Sequence, residues 1–337
     1  MREALFWNKL TNNKIQCTLC PHNCIIKDDK YGICGVRYNK SGILYTLVYD
    51  KIVAASIDPI EKKPLFHVKS GSKVFSIATV GCNFRCKNCQ NFSISQYPVI
   101  NKGKVAGDIV SPVKIVDAAI ENNCKSIAYT YTEPTIFFEM AFDTAKIANE
   151  KGLLNFFITN GFINNDPLLK ILPYLDGANI DLKSFNNDFY VKVAGGKLEP
   201  VINTIKTVFK AGKQLEITTL IIPGFNDTKD EIKKIADFIK SLSPDIPWHI
   251  SAFYPAYQMK NINPTLPETV EKLREVAMNQ GLNYVYTGNI RDNNGENTIC
   301  SNCGKVVIER NGYEIISYNI EKNRCKFCNN IIPGIFD

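Results

Sequence analysis

The sequence predicts an α/β protein built on a complete or partial β/α barrel, with a cysteine-rich segment in front and a small four-cysteine unit behind. Three observations carry this. From residue 73 short β-rich runs alternate with amphipathic helical runs, four cysteines crowd residues 17–34, and two Cys-x2-Cys pairs sit near the end. Strand-helix repetition of this length means a parallel sheet covered by helices, and six or seven such units suit a barrel better than an open sheet. The expected divisions are 1–72, 73–290 and 291–337.

"KVFSIATVG" (73–81) is a short apolar run without helical period and reads as a buried strand. Ser111 and Pro112 supply an N-cap and first-turn proline for a helix whose Val113, Val116 and Ile120 are expected on one apolar face. The strand "KSIAYTYTE" follows, then a helix from "TIFFEMAFDTAKIANEKG" that stops at a glycine. Further strands are "NFFITNG" (155–161), "GANIDLKS" (177–184), "LEITTLIIPG" (215–224), "WHISAF" (248–253) and "NYVYTG" (283–288). Helical patterns such as "KDEIKKIADFIKSL" and "PETVEKLREVAMNQG" lie between them, and "RDNNGENT" (291–298) reads as a polar linker.

Composition bounds the class. Of 337 residues 45% are apolar and 22% charged, enough for a sizeable core. The N-terminus lacks an apolar h-region, and no run reaches the ~18 apolar residues that span a bilayer, so a cytoplasmic location and no membrane partner are expected. Net charge is +7, but Lys outnumbers Arg 33 to 7, which does not indicate a nucleic-acid surface, since Arg usually carries specific recognition. Twelve cysteines in such a chain point to metal rather than to disulfides. Eleven fall in three clusters, and Cys124 stands alone as a structural thiol at a helix end.

The middle cluster, in "GCNFRCKNCQN" (81–91), holds Cys82, Cys86 and Cys89 in C-x3-C-x2-C spacing directly after the first barrel strand. In β/α barrels chemistry gathers at such strand ends. Three thiolates hold three corners of a [4Fe–4S] cubane and leave one iron open to a ligand. A zinc site completed by a distant residue is the alternative, although zinc usually shows Cys-x2-Cys pairs.

This loop resembles the signature of radical S-adenosylmethionine (SAM) enzymes, which implies a radical SAM partial (β/α)6-type barrel. The resemblance further implies that the open iron chelates the amino and carboxylate groups of SAM. Reductive cleavage then yields a 5′-deoxyadenosyl radical that takes hydrogen from a substrate, with an electron donor such as flavodoxin or ferredoxin. The later strand ends are similar to those of the pyruvate formate-lyase activating enzyme. By that likeness Glu133, in Tyr131-Thr132-Glu133, takes the methionine amine in place of a Gly-Gly-Glu-like motif. Lys183 in "IDLK" binds the methionine carboxylate with Asp181 and Asn160 nearby, and His249 contacts the ribose. Pro223 and Gly224 let backbone approach the adenine, and Ile158 stands where the family has an Asp, so no bound cation is expected there. For Lys183 and His249 the plain alternatives are a solvated lysine and a hydrogen-bonded barrel histidine. Over nearly the whole chain, "CTLCPHNC…GICGVR", "DPIEKKPLFH", "PWHISAFYPAY" and "YTGNIRDNNGENTICSNCG" resemble the radical enzyme of the AmmeMemoRadiSam system. That likeness implies Memo-like and AMMECR-like partners and names no substrate.

Cys300, Cys303, Cys325 and Cys328 form two pairs flanking a β-hairpin pattern with the turn "RNGY", a zinc-ribbon-like arrangement with structural zinc, or alternatively an auxiliary iron–sulfur cluster. So small a unit has little core, so metal should supply much of its folding energy. Cys17, Cys20, Cys24 and Cys34 supply four thiolates for zinc or a second cluster, with His22 between them. Three functions are weighed: a radical SAM enzyme of unidentified substrate, a glycyl-radical-enzyme activase, and a non-catalytic zinc-ribbon or iron–sulfur carrier protein. An electron carrier would want its cluster fully ligated, which the three-cysteine loop does not provide.

Overall fold

In the computed structural model, which describes residues 1–291 and 295–336, an eight-stranded sheet runs through the molecule. Its strands are β1 (Ala54–Pro59), β2 (Lys73–Ala78), β3 (Ser126–Tyr129), β4 (Leu154–Thr159), β5 (Gly177–Asp181), β6 (Gln214–Ile221), β7 (Trp248–Ala252) and β8 (Val285–Gly288). They lie in sequence order, β2 to β8 all parallel and β1 antiparallel to β2 at one edge. The crossovers carry α1 (Pro112–Glu121), α2 (Phe138–Glu150), α3 (Asn165–Ile171), α4 (Leu198–Lys210), α5 (Lys229–Leu242) and α6 (Pro267–Asn279). Among the described residues β1 and β8 do not pair with each other, so the sheet stays open. Inward side chains of β4 to β7 nevertheless share one cavity, which makes the sheet a partial barrel. The parallel α/β architecture expected from the strand-helix alternation is present. Its strand β1, however, comes from the segment read as preceding the barrel, and Asp292–Asn294 of the polar linker lie outside the described residues.

Local signals explain most boundaries. Ser111 caps α1 by accepting from the Lys114 N–H, with Pro112 in the first turn. The buried face of α1 is a correction to the expectation: it is Pro112, Ile115, Val116 and Ala119, while Val113 and Ile120 are exposed. An i, i+3, i+7 reading picked a stripe rotated from the one that packs. Thr228 likewise caps α5 through the Glu231 N–H. Cys124 is buried just beyond α1, as expected of a structural thiol.

Residues 2–46 fold as two small antiparallel sheets, one of Arg2–Glu3, Lys30–Tyr31, Arg37–Lys40 and Ile43–Thr46, the other of Trp7–Lys9, Ile15–Cys17 and Ile25–Ile26. They share the main core with the barrel. One buried ion pair helps fasten them: both Nη atoms of Arg37 donate to Glu139 on α2, each at 2.8 Å. The C-terminal unit, a three-stranded sheet of Thr298–Ile299, Val306–Asn311 and Glu314–Tyr318, docks instead beneath the barrel. Arg310 donates to the Phe66 carbonyl at 2.9 Å, and Ile335 N–H donates to the His67 carbonyl at 2.8 Å.

The barrel floor is a buried polar network. Glu216 on β6 accepts from the Phe66 and His67 N–H groups and from His249 on β7. His67 Nδ1 lies 2.6 Å from the Pro333 carbonyl, which can only accept, so the proton sits on Nδ1, leaving Nε2 to face the Tyr286 hydroxyl at 2.6 Å. Burial pushes His67 down to about 4, keeping the ring neutral. An unfolded histidine titrates near 6.5, so between those values the unfolded chain binds a proton the folded one refuses. The His67 contribution is therefore fully present above pH ~6.5 and lost as pH falls toward 4. Between pH 7 and 5 the wild type should lose about 2 kcal/mol more stability than His67→Gln. Denaturant unfolding of both proteins at the two pH values checks this, since losses common to both cancel.

Candidate active site

A cavity of about 340 Å³ opens at the C-terminal ends of the barrel strands. Cys82, Cys86 and Cys89 line it on the loop after β2, together with Thr130, Tyr131, Asn160, Asp181, Lys183, Thr218 and Ser251. Gly81 opens the loop with φ +104°, and a Cβ there would stand 2.8 Å from Val36 Cγ1 and 3.1 Å from the Cys34 carbonyl. Glycine is thus required twice, by dihedral and by close approach. Backbone bonds from Arg85 N–H to Ala194 (2.8 Å) and from Lys87 N–H to Val193 (3.0 Å) hold the loop's far side.

The three thiols are set up to receive positive charge. Phe84 N–H points at Cys82 Sγ (3.3 Å), and Cys89 Sγ lies 3.3 Å from Ser95 Oγ. Burial holds the Cys82 thiol well above the ordinary range and pushes Cys86 up to about 11. Such thiols ionise when a metal replaces the lost solvation. In the same cavity Lys183 Nζ donates to Asp181 Oδ2 at 2.7 Å. Burial opposes the Lys183 charge, but Asp181 and Cys86 outweigh it and hold the ammonium above the usual lysine value.

Of the residues expected at a cofactor, Asn160, Asp181 and Lys183 line the cavity together, as does Ile158. Asn160 is already engaged: its Nδ2 donates to Asn83 Oδ1 at 2.8 Å and lies 3.8 Å from Cys82 Sγ. Glu133 does not line the cavity. It is fully buried, and its carboxylate accepts from Thr135 N–H and Oγ1, from Thr159 Oγ1 (2.7 Å) and from Asn160 N–H (2.8 Å). Burial raises its pKa against the pull of those donors. His249 does not line it either. It sits on the barrel floor, 2.7 Å from Glu216 and stacked on Tyr286, the structural role weighed for it as an alternative. Pro223 and Gly224 also lie outside the lining.

The residues sequence reasoning missed follow from strand alternation. Side chains two apart share a face, so Ser251 and Thr218 stand one pleat nearer the strand ends than His249 and Glu216. Lys62 and Lys63 enter from the segment before β2, and Lys63 is ion-paired with Asp58 at 2.8 Å.

At the other end of the barrel the Sγ atoms of Cys300, Cys303, Cys325 and Cys328 all lie within 4.8 Å of one another. Four thiolates around one zinc at ~2.3 Å stand about 3.8 Å apart. The Cys300–Cys328 and Cys303–Cys325 separations are 3.6 and 3.8 Å, so the donor set fits a single ion.

Comparison with known proteins agrees with this geometry. The model of the radical SAM superfamily matches residues 76–239, from β2 into α5. An uncharacterised protein of Methanocaldococcus jannaschii, MJ0808, is 46% identical over 97% of this chain and 98% of its own. A putative glycyl-radical enzyme activating enzyme of the same organism, MJ1632, is 27% identical over 63% of this chain and 79% of its own. The pyruvate formate-lyase-activating enzyme of Staphylococcus epidermidis is 21% identical, over 59% and 86%. Among solved structures, Streptococcus suis SuiB bound to SAM shares the fold at TM-score 0.51 and 13% identity, over 68% of this chain and 52% of that one. Among the described residues no helix is long and apolar enough to cross a membrane. A radical SAM domain implies a [4Fe–4S] cluster and SAM, and one buried and two half-buried thiols lining a single cavity suit both. Residues 76–239 are thus a radical SAM domain, and the protein is an enzyme.

Proposed function

We propose that Cys82, Cys86 and Cys89 hold the [4Fe–4S] cluster and that SAM occupies the cavity between this loop and Lys183. When bound, cluster and SAM supply one-electron cleavage of the sulfonium and a 5′-deoxyadenosyl radical that takes hydrogen from the substrate. The observation that carries the reading is three thiols and a lysine–aspartate pair lining one cavity at the strand ends. Lys183 gives a carboxylate a charged partner, and Asp181 orients that ammonium. Asn160 steadies the loop through Asn83, while Glu133, buried behind, holds the turns after β3 and β4 in register. Cys300, Cys303, Cys325 and Cys328 hold a structural zinc. We further propose membership of the AmmeMemoRadiSam system, with Memo-like and AMMECR-like proteins as partners and a flavodoxin or ferredoxin as electron donor.

Anaerobically reconstituted, reduced protein should cleave SAM to methionine and 5′-deoxyadenosine, and Cys86→Ala should abolish cleavage with the C-terminal unit still folded. A wild type without turnover, even with candidate partners present, sinks the reading. Lys183→Met should raise the KM for SAM by roughly tenfold or more, because a lost charge-assisted hydrogen bond costs about 1.5–3 kcal/mol. Lys183→Arg should recover part of the loss, and an unchanged KM would remove Lys183 from the cofactor site.

A second reading, activation of a glycyl radical enzyme, is favoured by the similarity to MJ1632, named a putative glycyl-radical enzyme activating enzyme, and to the pyruvate formate-lyase-activating enzyme of Staphylococcus epidermidis. It requires a glycyl-radical doublet by electron paramagnetic resonance on a co-expressed substrate protein. No doublet across plausible partners would exclude it.

A further inference from the structure

Cys17, Cys20, Cys24 and Cys34 form a second thiol site that the reaction outlined above does not use. Two short antiparallel strands and a tight turn bring them together: Cys17 N–H donates to the Cys24 carbonyl at 3.0 Å, and Gly35 N–H to Gly32 at 2.9 Å across the turn holding Cys34. Cys17 and Cys34 are buried and Cys20 and Cys24 half-buried. All four line a cavity of about 20 Å³ with His22, Ile33, Arg37 and Asn83.

Its spacing separates this site from the C-terminal one. Thiols drawn onto a single ion stand about 3.8 Å apart and leave no room for a water-sized sphere between them. Among the described residues only the C-terminal four converge so closely. The N-terminal four instead surround a void that a water-sized sphere can enter, as thiols do when they grip the corners of a larger inorganic core.

A second observation points to an anionic occupant. Arg37 lines the cavity at 1% exposure, both of its Nη atoms committed to Glu139. Its Nε–H finds no acceptor among the described residues. A buried donor left unmade costs about 1–3 kcal/mol, and a sulfur acceptor in the cavity would remove that cost. Hydrogen bonds to sulfur are also a lever on cluster potential.

The site abuts the three-cysteine loop. His22 Nε2 donates to the Asn83 carbonyl at 2.8 Å, and Arg85 donates to the Ile33 carbonyl. Alternate residues of one strand of loop face the two cavities: Cys82 and Phe84 the larger, Asn83 the smaller.

We propose that Cys17, Cys20, Cys24 and Cys34 hold a fully ligated [4Fe–4S] cluster that relays electrons to the centre on Cys82, Cys86 and Cys89. The site itself is independent of the reaction proposed above, while the relay rests on it. A low-potential one-electron protein donor of flavodoxin or ferredoxin type reduces the N-terminal cluster from 2+ to 1+. Passing that electron on returns it to 2+ and reduces the second centre from 2+ to 1+, with no atom transferred.

The experiment is metal and sulfide analysis of full-length protein reconstituted anaerobically with ferrous iron and sulfide. The wild type should hold about eight iron and eight sulfide per chain, and Cys82→Ala/Cys86→Ala/Cys89→Ala about four of each, besides one zinc. The reduced triple variant should show a [4Fe–4S]+ paramagnetic signal that SAM does not alter. An iron-free triple variant with about two zinc per chain overturns the proposal. Should that variant fail to fold, Cys20→Ser/Cys24→Ser decides: loss of about half the wild-type iron supports the site, and undiminished iron refutes it. For the relay, the same double variant should cleave SAM at the wild-type rate with dithionite but at least tenfold more slowly with reduced flavodoxin. Equal wild-type and variant rates with flavodoxin would dismiss the relay. A wild type that cleaves no SAM would dismiss the relay and the proposed reaction together, leaving the metal counts to judge the site alone.

Discussion

Parallel strands turn every second side chain inward, and this alternation gives the barrel interior a depth that its chemistry obeys. On β6 the inward series is Glu216, Thr218, Leu220; on β7 it is His249, Ser251. The upper members line the open cavity, and the lower ones meet Phe66, His67 and Tyr286 on the floor. A charge on the floor is affordable only because Glu216 collects two backbone N–H groups and a histidine. The floor in turn gives the C-terminal unit its anchorage through Arg310, Thr298 and Pro333.

The same constraint explains what could be read beforehand. The strand-helix alternation, the Ser111 cap and the placement of Cys82, Cys86 and Cys89 after β2 were legible, because each depends on local pattern. Which inward residue stands at cavity height was not, since height depends on stagger between strands and on what fills the floor. His249 and Glu133 show two forms of the problem. His249 lies on the right face one pleat too deep, whereas Glu133 lies at the right strand end but turns its carboxylate into the wall. There it meets Thr159 Oγ1 and Asn160 N–H, donors some 26 residues away in sequence and invisible to spacing.

Buried carboxylates do most of the joining in this molecule. Glu139 ties the N-terminal sheets to α2 through Arg37, Glu133 ties β3 to β4, and Glu216 ties the segment before β2 to the floor. Each is hydrogen-bonded at both oxygens, and for Glu139, which has a charged partner, removing Arg37 would strand a buried charge at a cost of about 3–5 kcal/mol. These acids are therefore poor candidates for substrate contact. Lys183 and Asp181 differ in keeping an accessible side, with side-chain exposures of 19% and 38%. Charge that is paired yet reachable is what an incoming zwitterion can exchange with.

The two four-thiol sites have opposite relations to the cavity, and their spacing follows that difference. The C-terminal four lie below the barrel, behind the floor network, and their sulfurs are close enough for one redox-inert ion. An electron-transfer centre there would have the whole polar floor between it and the strand ends. The N-terminal four lie against the back of the loop whose front carries Cys82, with Gly81 permitting contact that any Cβ would block. That glycine serves both sites: it lets the first thiol turn into the cavity, and it lets Cys34 approach from behind. A side chain at residue 81 would strain the turn into Cys82 and press on Val36 and the Cys34 carbonyl, so it would disturb both thiol sets at once.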